Sequence, residues 1–167
     1  VHEFPWSEDH LGAEAVFEQL NVAKERIYKT LVIVGDKTGV IVACIPGTSE
    51  LDLKALAKVS GNKKVELLPL SNLEKTTGYV RGGCSPIGMK KDFPTFISSQ
   101  AKKMEKIIVS AGKRGMQIEE NTIDLQKMNL YLLKQIQIEY KNRIELQTKD
   151  ENFGLKFFFV KYFLKVS

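Results

Sequence analysis

The sequence predicts an α/β or α+β domain, and three observations carry that reading. Two β-branched runs, Thr30–Gly35 (TLVIVG) and Gly39–Ile45 (GVIVACI), sit on either side of a short polar turn. Amphipathic segments too short to bundle alone alternate with strand-like ones. Residues 78–94 hold four glycines and two prolines, which rules out a regular helix there.

Along the chain, Leu11–Leu20 reads as a short helix with Leu11, Ala15, Val16 and Leu20 on one face. The two β-branched runs form a hairpin around Asp36-Lys37-Thr38. Ser49-Glu50-Leu51-Asp52 has the pattern of a capping box before a helix over Leu53–Val59, which Gly61 ends. Val65–Leu68 is a strand. Ser71-Asn72-Leu73-Glu74 has the form of a second capping box, opening a helix that stops by Gly78. Phe96–Ser98, Ile107–Ser110 and Met116–Glu119 read as short strands, the last two separated by a glycine-bearing turn. From Asn121 onward, Leu125, Met128, Leu132, Leu133 and Ile136 recur at helical spacing. The tail KFFFVKYFLKV is strand-like in composition.

Bulk properties bound the function. The 167 residues suit one domain, and 43% hydrophobic with 27% charged residues describe an ordinary globular chain. The 25 Lys+Arg against 20 Asp+Glu leave a charge of +5, which suits a polyanionic partner. Two cysteines write no disulfide framework, and a reducing cytoplasm is the simpler expectation. No signal-peptide pattern is visible at Val1–Trp6, where no basic flank precedes an apolar stretch, and no apolar run approaches the roughly 20 residues of a membrane helix.

Familiar catalytic patterns are missing. The only histidines are His2 and His10, and the sequence contains no HExxH, GxSxG, CxxC or P-loop pattern. Gly82-Gly83 allows main chain to approach a ligand closely, although adjacent glycines more often mark a turn. Ser110-Ala111-Gly112 is a second such element. Lys29 enters an apolar strand, either as a solvated edge residue or as a cation beside developing negative charge. Cys84 has no histidine nearby in sequence to activate it, so packing is its expected role; Cys44 reads as core. Basic residues fall in clusters that include Lys54, Lys58, Lys63 and Lys64; Arg81, Lys90 and Lys91; Lys102, Lys103 and Lys106; and Lys113 and Arg114. If the fold gathers some of these around the glycine loops, they form a track for a phosphate backbone.

Four segments in one order, KTLVIV at 29–34, LDLKALAKVSGNKKVEL at 51–67, TGYVRGGCSPIGMKK at 77–91 and VSAGKRGMQIE at 109–119, resemble the YbaK/EbsC family of aminoacyl-tRNA deacylases. The resemblance covers about residues 2–120. It implies a mixed, β-barrel-like sheet flanked by helices, the fold of prolyl-tRNA synthetase editing domains. It also implies a trans-acting enzyme that removes cysteine from mischarged Cys-tRNA(Pro), with no cofactor and no metal, and a connection to prolyl-tRNA synthetase. In that family the substrate's own thiol attacks the ester carbonyl, and the enzyme supplies geometry and charge. Carried over by position, Lys29, Gly82, Ser110 and Gly112 are the implied catalytic residues. Phe4, Thr30, Gly83 and Ala111 are the implied pocket residues, and Lys90, Lys91, Lys113 and Arg114 the candidate tRNA contacts. The helix and strand that the family carries ahead of this point have no counterpart before Val1, so a domain shortened at its start is expected over 1–120. Residues 121–167 depart from the family pattern and read as an atypical extension. Two other readings stay open: a deacylase for alanine or serine on tRNA, and a non-catalytic module that binds tRNA or a synthetase.

Overall fold

The computed structural model describes residues 1–7 and 13–128. In chain order the elements are β1 (His2–Glu3), α1 (Ala13–Leu20), β2 (Tyr28–Gly35), β3 (Gly39–Pro46), α2 (Leu53–Ser60), β4 (Val65–Leu67), α3 (Leu70–Thr77), β5 (Thr95–Ile97), β6 (Lys106–Ser110), β7 (Met116–Asn121) and α4 (Thr122–Met128). Short 3-10 turns occupy Lys24–Arg26 and Ser99–Lys103. Residues 11 and 12 of the expected first helix, the helical pattern beyond Met128 and the strand-like tail lie outside the described residues.

The strands form two sheets, ordered β4-β2-β3-β5 and β1-β7-β6. The first is mixed, because β3 and β5 run parallel while its other pairs are antiparallel. A parallel bridge between Ile27 and Ile108 joins the sheets, which do not close into a barrel among the described residues. The β2–β3 hairpin is continuous from Tyr28 opposite Pro46 to Gly35 opposite Gly39. Its β-branched residues fit a pleated surface, and Gly39 takes the left-handed turn conformation, at φ 71°.

Alternation along β2 sends successive side chains to opposite faces of the sheet. Ile33, Ile41, Ala43 and Ile45 pack under Leu56 and Ala57 of α2, with Val65 and Phe96 completing that cluster. Tyr28 and Cys44, on the other face, pack with Ile97, Ala101, Ile107, Val109 and Leu125. A third cluster sets Val16 and Phe17 of α1 on Ile27 and Ile108. Because Leu125 is fully buried and Thr122 Oγ1 donates to the Met104 carbonyl at 2.8 Å, α4 belongs to the core unit.

Both expected capping boxes resolve differently. Asp52, not Ser49, caps α2, its carboxylate accepting from Lys54 N–H and Ala55 N–H at 3.0 Å each. Ser49 lies in the preceding turn, with its N–H on the Pro46 carbonyl, too far upstream to reach the helix. Helix α3 begins one residue before Ser71, behind Pro69, and has no side-chain cap; Ser71 already lies in its first turn. Gly61 and Gly78 end the two helices in the left-handed conformation, as expected.

Buried Asn62 ties the hairpin turn to the end of α2. Its Oδ1 accepts from Lys37 N–H at 2.9 Å and Thr38 N–H at 3.0 Å, while its Nδ2 donates to Ser60 Oγ at 2.8 Å. Removing it strands these groups, so Asn62→Ala should cost about 1–3 kcal/mol in urea unfolding. Glu119 of β7 pairs with Arg26 and, at 3.3 Å, with His2, joining three segments. Hydrogen bonding from Arg26, then from His2, holds its carboxyl below the ordinary 4.5. A lowered carboxylate stabilises the fold above its unfolded value, and the contribution is lost as pH falls through the folded value. The melting temperature of wild type should therefore drop more steeply below about pH 4.5 than that of Glu119→Gln.

Candidate functional site

A cavity of about 310 Å³ opens beside β2, with Ile27, just ahead of that strand, in its lining. Residues from distant parts of the chain line it: Val16 from α1, Tyr28, Lys29, Thr30 and Leu31 from β2, Arg81, Gly82 and Cys84 from the glycine-rich loop, Ser110 from β6 and Gln117 from β7. Lys29 shares its strand face with Ile27 below and Leu31 above, so alternation sends its stem out between two apolar clusters. Such a position suits a lysine whose methylenes pack while the ammonium meets a polar ligand.

The loop from Gly78 to Pro94 has neither helix nor strand, but it is pinned. Tyr79 Oη donates to the Ile87 carbonyl at 2.6 Å, Gly83 N–H to Val80 at 3.0 Å and Lys90 N–H to Thr77 at 3.0 Å. Gly82 has φ 85°, a conformation costly for other residues. Gly83 lies main chain to main chain on the β6–β7 turn. A Cβ there would stand 3.2 Å from Arg114 N and 3.3 Å from Lys113 Cα.

Among the described residues, the buried hydroxyls of the lining residues Tyr28, Thr30 and Ser110 find no hydrogen-bond partner. The Thr30 hydroxyl leans toward Cys44, its cross-strand neighbour, outside ordinary hydrogen-bond geometry. An unsatisfied buried hydroxyl costs about 1–3 kcal/mol, so a ligand that satisfies one recovers that cost. Ser110 shares the cavity's strand face with Gln117, its partner across the ladder.

Of the residues singled out in the sequence, Lys29, Thr30, Gly82 and Ser110 meet in this lining. Gly83 supports it from behind. Gly112, at φ 91°, packs on the Tyr79 ring, where a Cβ would come within 2.8 Å, and is not in the lining. Ala111 and Phe4 also lie outside it; Ala111 N–H bonds the Met116 carbonyl, and Phe4 packs on the α1 cluster with its N–H on Gly115. Among the basic candidates, Arg114 reaches the loop, its Nε donating to the Arg81 carbonyl at 2.9 Å, with Lys113 beside it. Lys90 instead donates to the Glu74 carbonyl at the end of α3, and Lys91 is exposed. Sequence reading did not place Val16, Ile27, Tyr28, Leu31 or Gln117 at a site, and named Arg81 only within a basic cluster. Only Arg81, next to the glycine pair, carried a signal.

Neither thiol is a nucleophile at rest. Burial pushes Cys84 up to about 11 and Cys44 up to about 12. Among the described residues no group of three His, Cys, Asp or Glu side chains could hold a metal ion, and no helix is long and apolar enough to cross a membrane.

Fold and cavity define an α+β domain whose small pocket combines apolar side chains with hydroxyl residues, a glycine, Lys29 and Arg81. The model of the aminoacyl-tRNA editing domain matches residues 8–128, and the chain belongs to that family. It is 69% identical over 118 residues to an Enterococcus faecalis protein assigned by name as a Cys-tRNA(Pro)/Cys-tRNA(Cys) deacylase, EbsC, covering 71% of this chain and 72% of that one. It is 25% identical over 104 residues to the proline–tRNA ligase of Brachyspira hyodysenteriae, covering 62% of this chain and 18% of the ligase. A crystal structure of a protein assigned as a trans-editing enzyme for prolyl-tRNA synthetase superposes with a TM-score of 0.69 at 18% identity, covering 84% of each chain, a likeness of fold.

With both thiols protonated near neutrality, native protein at pH 8 should take up a thiol reagent far more slowly than free cysteine. Denaturation should then release two fast-reacting thiols.

Proposed function

We propose that this chain is a trans-acting editing enzyme that deacylates mischarged Cys-tRNA(Pro) in the cytoplasm. The observation that carries the reading is that Lys29, Gly82 and Ser110, remote in sequence, line one small cavity. Its size falls at the lower end of ligand pockets and suits an aminoacyl group, with the tRNA body outside. A pocket can reject a side chain differing by little only weakly, so cysteine and proline call for a second sieve.

The chemistry follows from what the cavity holds and from what it lacks. Among the described residues the lining holds no histidine, and burial keeps its one thiol, Cys84, protonated, so the reading takes the nucleophile from the substrate. The substrate thiol loses its proton and its sulfur attacks the ester carbonyl. The 3′ oxygen leaves with a proton, freeing the tRNA and a cysteine thiolactone that water opens. Lys29 orients the ester and balances charge on the developing oxyanion. The left-handed turn at Gly82 exposes main chain to the reacting group, and the Ser110 hydroxyl gains its missing partner. Gly112 acts behind the site, holding Tyr79 and the loop in place. The net charge of +5 favours the polyanionic tRNA, and prolyl-tRNA synthetase, the source of the mischarged product, is the expected partner.

In a deacylation assay, Lys29→Ala should lower the rate on cysteinyl-tRNA at least about hundredfold while the thermal melt stays near wild type. Wild type should release cysteine much faster than serine or alanine, since only cysteine brings a thiol. Comparable rates on all three would overturn the thiol-assisted mechanism.

A further inference from the structure

Outside the cavity, one feature at its rim has no role in the reaction just described. Trp6 is the only tryptophan of the chain, and 45% of it is exposed. The Arg114 guanidinium lies over its ring, 4.9 Å from the centroid. The same guanidinium donates to the carbonyl of Arg81, a residue of the cavity lining. The indole is therefore one side chain away from the pocket mouth.

Local packing holds the ring there. Phe4 N–H bonds the Gly115 carbonyl at 2.8 Å, and Gly115 has φ 73°. A Cβ on Gly115 would come within 2.5 Å of the Phe4 carbonyl and 2.7 Å of Trp6 Cδ1. The glycine thus lets the β6–β7 turn carry the strand leaving β1, and with it the indole.

We propose that Trp6, backed by Arg114, is the stacking platform for the 3′-terminal base of the aminoacyl-tRNA. The inference rests on the editing function and adds a subsite to it. An aminoacyl ester in the cavity leaves the ribose at the mouth, so the attached base must lie at the rim. An exposed aromatic backed by a cation offers that base a flat surface, and exposed Arg81 and Lys113 beside it suit the neighbouring phosphates. Stacking requires no base-edge contact, so the same surface serves every tRNA, all of which end in one common sequence.

Because Trp6 is the sole tryptophan, its fluorescence reports the stack directly. Titrating full-length protein with the RNA trinucleotide CCA should quench it to saturation, and Gly115→Ala, which displaces the ring, should weaken the quenching. In the deacylation assay, Trp6→Ala should lower kcat/KM on cysteinyl-tRNA about five- to hundredfold, mostly through KM, with Trp6→Phe restoring most of the loss. The preference for cysteinyl-tRNA over cysteine ethyl ester should narrow by the same factor. Absence of quenching by CCA, or an equal loss on both esters, would overturn the platform. Failure of the editing function would appear separately, as no release of cysteine by wild type, and the quenching titration would still decide the stack.

Discussion

Gly83 lying main chain to main chain on Lys113 and Arg114 is the contact on which the site depends. It closes the glycine-rich loop against the β6–β7 turn, so that Gly82 and Ser110 come to line one cavity with Lys29. A side chain at Gly83 would have to push backbone, which yields far less readily than the end of a flexible side chain. Arg114 reinforces the closure through the Arg81 carbonyl, and Tyr79, braced by Gly112 and Ile87, holds the loop from behind. The glycines of this region are thus divided in labour: one exposes main chain, one permits contact and one supports an aromatic ring.

The cavity interrupts an otherwise apolar sheet face. Ile27, which is buried, and Leu31, which is partly buried, flank Lys29 and pack against two of the core clusters. Setting a lysine and the buried Ser110 hydroxyl beside these apolar residues costs stability, which the surrounding clusters and the long β2–β3 ladder offset. What the arrangement gains is preorganisation. In the proposed reaction, donors and charge already stand where the ester would sit, and little must reorganise when negative charge develops. Catalysis that relies on position in this way needs no nucleophile of its own, consistent with two thiols held neutral by burial.

Much of the architecture was legible in the chain. The hairpin follows from β-branched runs around a polar turn, and α2 follows from helical spacing closed by Gly61, because local propensity and the core pattern agree there. The start of α2 at Leu53 is as expected, but its cap is not, and α3 starts ahead of its expected cap. A capping pattern does not say which residue stands beside the first turn: Asp52 rather than Ser49 holds that place in α2, and Pro69, outside the pattern altogether, in α3. Leu125 showed helical spacing, yet nothing local said that it would fill the core beneath β6.

By itself the sequence determined the element types, the glycine-dependent loop and the motifs that assign the family, because each is written in residues close together along the chain. The tertiary structure alone decided that Lys29, Gly82 and Ser110 share a cavity while Gly112 and Phe4 stand behind it. It also decided that Arg114, rather than Lys90, meets the rim and stacks on Trp6. Convergence of this kind depends on how two sheets pack and on which loops touch across them. Those are long-range contacts, and no short stretch of residues records them.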